Sequence, residues 1–312
     1  MKIFSWIIKD TSIDFLKLRK VGYALSILMI VASIVSIAVK GFNYGIDFSG
    51  GVLIDVKSKN GPVDVDSIRK ELSGLKLDEL TLQAVGQTGE QLMIRAQANN
   101  ADEESQRIAV NQIKEILGKD FTFERIESVG PQVGDELKLS GILASVFACV
   151  AISLYIWFRF EWRFALGALI GLFHDLLITV GLLSMMHFEF SLTTIAAILT
   201  LAGYSVNDTV VTYDRIRENL QKFKKMPQYD LLNKSINDIF SRTILTSLTT
   251  LFASLALLIF GGDALRSFAF VITAGIVIGT YSSIYVSVAI LNFFDLHKAA
   301  AADEEVNPFG NA

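Results

Sequence analysis

The feature that most constrains this chain is a series of apolar windows, each nearly free of charged residues. A helix needs about 20 apolar residues to cross the roughly 30 Å hydrocarbon core of a bilayer. The pattern therefore predicts an α-helical polytopic membrane protein, in agreement with a mean hydropathy of +0.46. Six transmembrane helices are predicted, over residues 21–39, 138–157, 164–186, 191–212, 244–260 and 268–293.

The first apolar run, 21–39, follows a basic N-terminal segment, 1–20. This run is longer than the core of a signal peptide, and no small-residue cleavage site follows it. We therefore interpret it as a retained membrane helix.

The distribution of Lys and Arg predicts the orientation of the spans. Six spans place both termini on one side, together with a predicted loop over 213–243. Basic residues concentrate in 1–20 and 213–243, whereas the opposite connections, 187–190 and 261–267, contain one between them. The positive-inside rule therefore places both termini, including the tail 294–312, in the cytoplasm. The basic residues of 213–243 are Arg215, Arg217, Lys222, Lys224, Lys225, Lys234 and Arg242.

Residues 41–134, between the first two spans, are charged and long enough to fold as a separate domain on the outer side. The remaining spans, within 138–293, form a five-helix membrane domain. The pattern of 41–134 predicts the order β-α-β-β-α-β, which is the ferredoxin-like α+β arrangement. The predicted strands and helices cover 51–56, 63–72, 81–85, 91–96, 102–117 and 121–129.

Composition excludes several classes of protein. A net charge of −4 gives no support for a nucleic-acid partner. The single cysteine, Cys149, excludes a disulfide framework within the chain, and we interpret it as a small packing residue on a membrane helix. No cofactor or metal site is expected. Motifs of an intramembrane enzyme, such as HExxH, are absent from the sequence.

Ionisable residues inside membrane helices are costly and are functional candidates by default. The fourth span contains Asn207 and Asp208 among apolar residues, and Arg242 stands at the entrance to the fifth. Asp208 has few local partners and could bind and release a proton, with Arg242 as the opposite charge. Alternatively, Asp208 and Arg242 lie at the interface and extend towards lipid headgroups.

The third span contains His174 and Asp175 near its middle. These two residues could take part in proton movement, or they could hydrogen-bond neighbouring helices. The sequence leaves both interpretations open.

Two sets of glycines are candidates for close packing or hinge motion. Gly203, Gly275 and Gly279 lie in the fourth and sixth spans, where small residues let helices approach closely or keep a helix adaptable. Gly50 and Gly51 follow the first span and predict a loop with positive φ or a tight backbone approach. This pair could also serve as a hinge for the outer domain.

Three motifs carry a resemblance to a known family. They are FNYGIDFSGG at 42–51, LAGYSVNDTVVTYDRIREN at 201–219 and SRTILTS at 241–247. Their order and spacing are similar to those of the SecF subunits of bacterial SecD–SecF protein-export complexes, across roughly residues 15–295.

The resemblance implies more than composition does. Members of the SecF family pair with SecD in a twelve-span assembly of the resistance–nodulation–division superfamily, in the bacterial inner membrane. They associate with the SecYEG channel, YajC and YidC, and are thought to use the proton-motive force to promote export of a preprotein. The resemblance gives Asp208 and Arg242 a role in proton conduction, together with an aspartate of SecD.

Two other classes of function remain open at this stage. One is a small-molecule or lipid exporter of the same superfamily, although such exporters usually carry twelve spans in one chain. The other is a non-transporting scaffold of the translocase, which an aspartate inside the membrane argues against. The basic segment 213–243 is interpreted as an anchor beside anionic membrane lipids or as a docking surface for a partner.

Overall fold

The computed structural model of the chain describes residues 11–75, 77–85, 89–98 and 103–297. A short 3₁₀ turn, Phe15–Leu18, leads into the first long helix. The helices are α1 (Arg19–Lys40), α2 (Ile46–Ser49), α3 (Val65–Leu72), α4 (Glu103–Leu117), α5 (Pro131–Arg159), α6 (Trp162–Met185), α7 (Leu192–Lys222), α8 (Gln228–Phe260), α9 (Asp263–Ser282) and α10 (Ala289–Leu291), with a π-helical segment, Ser283–Val288, between the last two. The strands are β1 (Asn43–Tyr44), β2 (Gly51–Ser58), β3 (Leu77–Val85), β4 (Gln91–Ala98), β5 (Phe121–Val129) and β6 (Glu189–Phe190).

In the part of the chain that the structure describes, six helices are long and apolar enough to cross a membrane. They are α1, α5, α6, α7, α8 and α9 with its continuation, so the prediction of six spans is confirmed. Residues 1–10, including Lys2 and Lys9, and 298–312 of the predicted tail lie outside the described residues.

The segment 213–243 is not the loop that we expected. Helix α7 continues to Lys222 and α8 already begins at Gln228, which leaves only 223–227 as the connection. Polar pairs join the two helices here, because Asn219 Nδ2 donates to Asp238 Oδ2 at 3.0 Å and Arg215 forms an ion pair with the same carboxylate at 2.9 Å. Hydropathy could not detect these extensions, since their stability depends on contact between the two helices.

The domain between the first two spans has the predicted topology. Its four strands form an antiparallel sheet in the order β3-β4-β2-β5, with α3 and α4 as the connecting helices. This strand order is that of the ferredoxin-like fold, so the prediction is confirmed for the residues described; residue 102, the first of the predicted second helix, is outside them. The helices cover one face of the sheet and enclose a core that includes Val52, Ile54, Val56, Ile68, Leu72, Leu92, Ile94, Ile113 and Leu117.

A small junction links this α+β domain to the connection between α6 and α7. Strand β1 pairs in parallel with β6, Asn43 opposite Glu189 and Tyr44 opposite Phe190. Aromatic rings pack around this pairing, and the ring centroid of Phe42 lies 5.0 Å from that of Phe190. The two-residue strands carry no periodic signal, and the sequence did not predict them.

The glycine pair after α1 has the backbone expected of it. Gly50 and Gly51 have φ values of 69° and 109°, which residues with a Cβ rarely adopt. Gly51 starts β2 and pairs with Val129 of β5, so the pair forms a tight corner where the junction enters the sheet. The hinge role of these glycines stays a prediction.

Candidate functional site

The carboxyl group of Asp208 lies between three helical elements. Its Oδ1 accepts a hydrogen bond from Thr243 Oγ1 of α8 at 3.0 Å. Its Oδ2 is buried and accepts no hydrogen bond of good geometry from the described residues. The hydroxyl of Ser283, in the π-helical segment, is close by but donates to the carbonyl of Thr280 at 3.1 Å. An oxygen without a donor is a position where a proton can be added without breaking an existing hydrogen bond.

Arg242 and Asn207 do not contact this carboxyl group directly. The side chain of Arg242 is exposed; among the described residues it attracts Asp208 through its charge but forms no ion pair with it. The contact comes instead from the next residue, Thr243. Asn207 is exposed on the surface of α7. The sequence thus placed Arg242 and Asp208 on neighbouring helices but missed the hydroxyl that joins those helices.

His174 and Asp175 form the centre of a second, fully buried polar cluster. Asp175 is 0% exposed and accepts hydrogen bonds from Ser205 of α7 at 2.6 Å and from Ser282 of α9 at 2.7 Å. Its other oxygen lies 2.9 Å from His174 Nδ1. His174 Nε2 lies 3.0 Å from the hydroxyl of Ser26 on α1. The cluster therefore joins four helices through one carboxylate and one imidazole.

Helix α7 and the boundary between α9 and the π-helical segment bring the Asp208 site and the His174–Asp175 cluster together. Ser205 and Asp208 are three residues apart on α7, which places them on the same side of a helix. Ser282 and Ser283 are consecutive, and the first bonds Asp175 whereas the second approaches Asp208. The two carboxyl groups are therefore held by adjacent parts of the same elements.

The hydroxyl residues of these clusters received no specific role from the sequence. Ser26, Ser205, Thr243 and Ser282 are all buried although each lies in a membrane-spanning helix. The signal that could have found them is a hydroxyl side chain at helical spacing from an ionisable residue, since a buried carboxylate needs donors.

A π-helical segment, Ser283–Val288, begins beside both carboxyl groups. Such segments interrupt α-helices rarely and are frequent at functional sites. Gly167 and Gly171 of α6 allow its close approach, because a Cβ at either position would overlap Tyr213 or Ser287. Tyr213 supports the same segment by donating to the carbonyl of Ser287 at 2.9 Å.

The glycines singled out from the sequence differ in their surroundings. A Cβ at Gly275 would overlap the side chain of Leu201, so this glycine lets α9 pack closely on α7. A Cβ at Gly279 would lie 3.5 Å from Asp175 Oδ2. Gly203 faces open space, so its expected role in packing is not fulfilled within this chain. The reason is that α7 turns this part of its surface outwards, as the exposure of Asn207 one turn later also shows.

The polar groups of the site do not resemble a metal centre. Among the described residues, no group of three or more His, Cys, Asp or Glu side chains could hold a metal ion.

Comparison with protein families gives two matches. Residues 109–297 match the family described as protein export membrane protein SecD/SecF, C-terminal. Residues 35–61 match the SecD/SecF GG motif, which includes Gly50 and Gly51.

Curated relatives match over nearly the whole chain. Protein translocase subunit SecF of Cereibacter sphaeroides is 44% identical over 298 residues, which cover 93% of this chain and 92% of the relative. Protein translocase subunit SecF of Rickettsia rickettsii is 45% identical over 285 residues, covering 90% and 91%.

Solved structures of SecDF share the fold. A crystal structure of SecDF from Thermus thermophilus, described as a translocon-associated membrane protein, superposes with a TM-score of 0.81 at 35% identity, covering 94% of this chain and 39% of that chain. SecDF in a super-membrane-facing form gives 0.67 at 36% identity, covering 95% and 41%. This chain therefore spans about two fifths of the length of these structures.

Proposed function

Because this chain belongs to the SecF family of protein translocase subunits, we propose that it works with SecD to couple the proton-motive force to protein export. Membership of the family and the six apolar helices identify it as a multi-pass inner-membrane protein. The energy coupling is the proposal, and it rests on Asp208.

The observation that carries the proposal is a carboxyl group inside a membrane-spanning helix with one buried oxygen free of donors. A proton added at Oδ2 leaves the bond from Thr243 to Oδ1 in place and removes the charge. The altered charge changes the attraction between α7, α8 and the π-helical segment. Release of the proton on the other side of the membrane resets the site.

The available energy fits a switch between two arrangements. One elementary charge that crosses 100 mV gains about 2.3 kcal/mol. This changes the ratio of two states by about fiftyfold. It is enough to bias a movement of helices during export, whereas unfolding of a stable domain needs 5–15 kcal/mol, on the order given by typical stabilities.

Arg242 has a role in this proposal although it does not contact Asp208. Its exposed guanidinium lies next to Thr243, on the part of α8 that is not covered by this chain. We propose that a carboxylate of SecD is its counter-charge, because the resemblance to the family implies that an aspartate of SecD belongs to the same proton-conducting machinery. We assign His174 and Asp175 the role of stabilising the packing of the helices around Asp208. Both oxygens of Asp175 are already engaged in hydrogen bonds, with His174, Ser205 and Ser282.

The other proposed partners are the SecYEG channel, YajC, YidC and the translocating preprotein. The proposed orientation has both termini in the cytoplasm and the α+β domain outside. The concentration of Lys and Arg in 1–20 and 213–243 supports this orientation. Membrane lipids contact the apolar surfaces of the spanning helices.

The test is Asp208→Asn, which keeps the size of the side chain but cannot exchange a proton. We expect the variant to insert and to assemble with SecD, and to lose the part of export that an imposed proton gradient adds in membrane vesicles. Asp230→Asn, at an exposed carboxyl of α8, is the matched control and should export normally. Full gradient-dependent export by Asp208→Asn would instead favour a scaffold without a role in energy coupling.

A further inference from the structure

An ion pair joins the sheet of the α+β domain to β6, which lies between α6 and α7. Arg95 Nη2 of β4 lies 3.3 Å from Glu189 Oε1 of β6, and both side chains are about three-quarters covered. Arg95 Nη1 also donates to Asn43 Oδ1 and to the carbonyl of Tyr44, both at 3.1 Å. One guanidinium therefore holds the sheet, β1 and β6 together.

The face of the sheet that carries Arg95 is covered by this junction. Leu53 of β2 stands directly opposite Arg95 in the sheet and points away from the core of the domain, yet it is only 2% exposed. The short helix α2, which leads into β2, contacts both β2 and β5. The domain is thus docked on the membrane part by a buried surface in addition to the two chain connections.

The same junction holds the N-terminus of α7. Asp47 Oδ2 of α2 accepts a hydrogen bond from the backbone N–H of Leu192, the first residue of α7, at 2.9 Å. Asp208 follows 16 residues later on the same continuous helix, a distance of about 24 Å along the axis at 1.5 Å per residue. A movement of α7 near Asp208 is therefore carried to the junction without a flexible segment between them.

We propose that Arg95 and Glu189 are positioning residues that transmit movements of α7 to the α+β domain. The proposal rests on the proposed function for the source of the movement, but the docking itself does not depend on it. Among the described residues, Arg95 is the sheet residue that forms these polar contacts, since Asn43, Tyr44 and Asp47 belong to the segment that leads into the sheet. Without Arg95 the junction would still hold α7, but the sheet would lose its ion pair with Glu189 and its hydrogen bonds to Asn43 and Tyr44, and its position would then depend on the packing around Leu53 and α2.

The charges around Glu189 make the pair sensitive to loss of Arg95. Arg95 and Arg125 attract the carboxylate, whereas Asp47 and Glu127 repel it. Removing Arg95 leaves a largely buried carboxylate beside two like charges, and breaking a buried pair in this way is strongly destabilising. Glu189→Gln leaves no unpaired buried charge, because its amide oxygen can still accept a hydrogen bond from Arg95 and the side chain is neutral.

The experiment measures the position of the domain in the full chain, assembled with SecD in lipid. Spin labels are placed at Ser73→Cys in the domain and Phe260→Cys at the end of α8, both exposed, in a Cys149→Ala background. We expect one narrow distance between the labels in the parent and in Glu189→Gln, and a broad distribution in Arg95→Ala. Lys57→Ala, which breaks the exposed Lys57–Glu90 pair within the same domain, is the control and should keep the narrow distance.

Export by the same variants separates this proposal from the previous one. Arg95→Ala should lose gradient-dependent export, and Glu189→Gln should retain it. A narrow distance in Arg95→Ala would overturn the positioning role, whatever Asp208→Asn does. Full export by Asp208→Asn together with a broad distance in Arg95→Ala would overturn the proton coupling and leave the docking contact intact.

Discussion

At the scale of residues, two carboxyl groups in membrane helices have opposite surroundings. Asp175 is fully buried, and its oxygens are used by Ser205, Ser282 and His174. Asp208 has one oxygen bonded to Thr243 and one without a donor among the described residues. A buried acceptor without a donor costs free energy, and such costs are often retained at functional sites. This difference is why the proposal of proton coupling rests on Asp208.

Glu189 allows a prediction about pH at the same scale. Burial raises the pKa of this carboxyl group above its ordinary value, although the attraction of Arg95 opposes the effect. A raised pKa in the folded state means that the contribution to stability is present below the unfolded-state pKa and is lost as the pH rises through the folded-state pKa. Glu189→Gln should therefore gain stability relative to the parent as the pH rises, with the smallest difference in acid.

The measurement is the free energy of unfolding of the two proteins in detergent at several pH values. Glu115→Gln, at an exposed carboxyl of α4, is the control. A difference between Glu189→Gln and the parent that does not vary with pH would contradict the prediction.

At the scale of elements, close contacts between helices depend on particular small residues. Helix α9 approaches α7 at Gly275, where a Cβ would overlap Leu201. On the exposed face of α7, a Cβ added at Gly203 would have no neighbour within 4 Å among the described residues. The two glycines looked equivalent in the sequence, but only one is covered by another helix of this chain.

The two glycines give opposite predictions. Gly275→Val should reduce stability by about 1–3 kcal/mol, the usual cost of overpacking a well-packed site. Gly203→Ala should leave the stability of the isolated chain unchanged or raise it by up to about 1 kcal/mol, because alanine favours a helix more than glycine does. Thermal unfolding of both variants in detergent checks the pair; equal stability of Gly275→Val and the parent would rule out the close contact.

At the scale of the whole molecule, the chain leaves one side of α7 and α8 uncovered. Gly203 and Asn207 lie on the exposed surface of α7, and Arg242 is exposed on α8 close to Asp208. The solved SecDF structures are longer than this chain, which covers 39% and 41% of their length. A SecD partner on this side would cover the surface beside the proposed proton site.

This arrangement predicts a change in the accessibility of Asn207. In a Cys149→Ala background, Asn207→Cys should react with a membrane-permeant maleimide more slowly when SecD is co-expressed than in its absence. Phe158→Cys, at a residue 84% exposed at the end of α5, is the control and should react at the same rate in both cases. Equal rates for Asn207→Cys with and without SecD would place the partner elsewhere.

The sequence by itself determined the six spans and the order of elements in the α+β domain. Both follow from local patterns, since a membrane helix needs a long apolar run and a half-buried strand needs alternation. It also singled out Asp208, because a charge in an apolar helix is conspicuous without any knowledge of its neighbours. Only the tertiary structure decided that Thr243 rather than Arg242 contacts Asp208, that Asp175 is surrounded by hydroxyls, and that Arg95 reaches Glu189. These contacts join residues far apart in the chain, and the direction in which a side chain points depends on how the helices rotate and pack against one another.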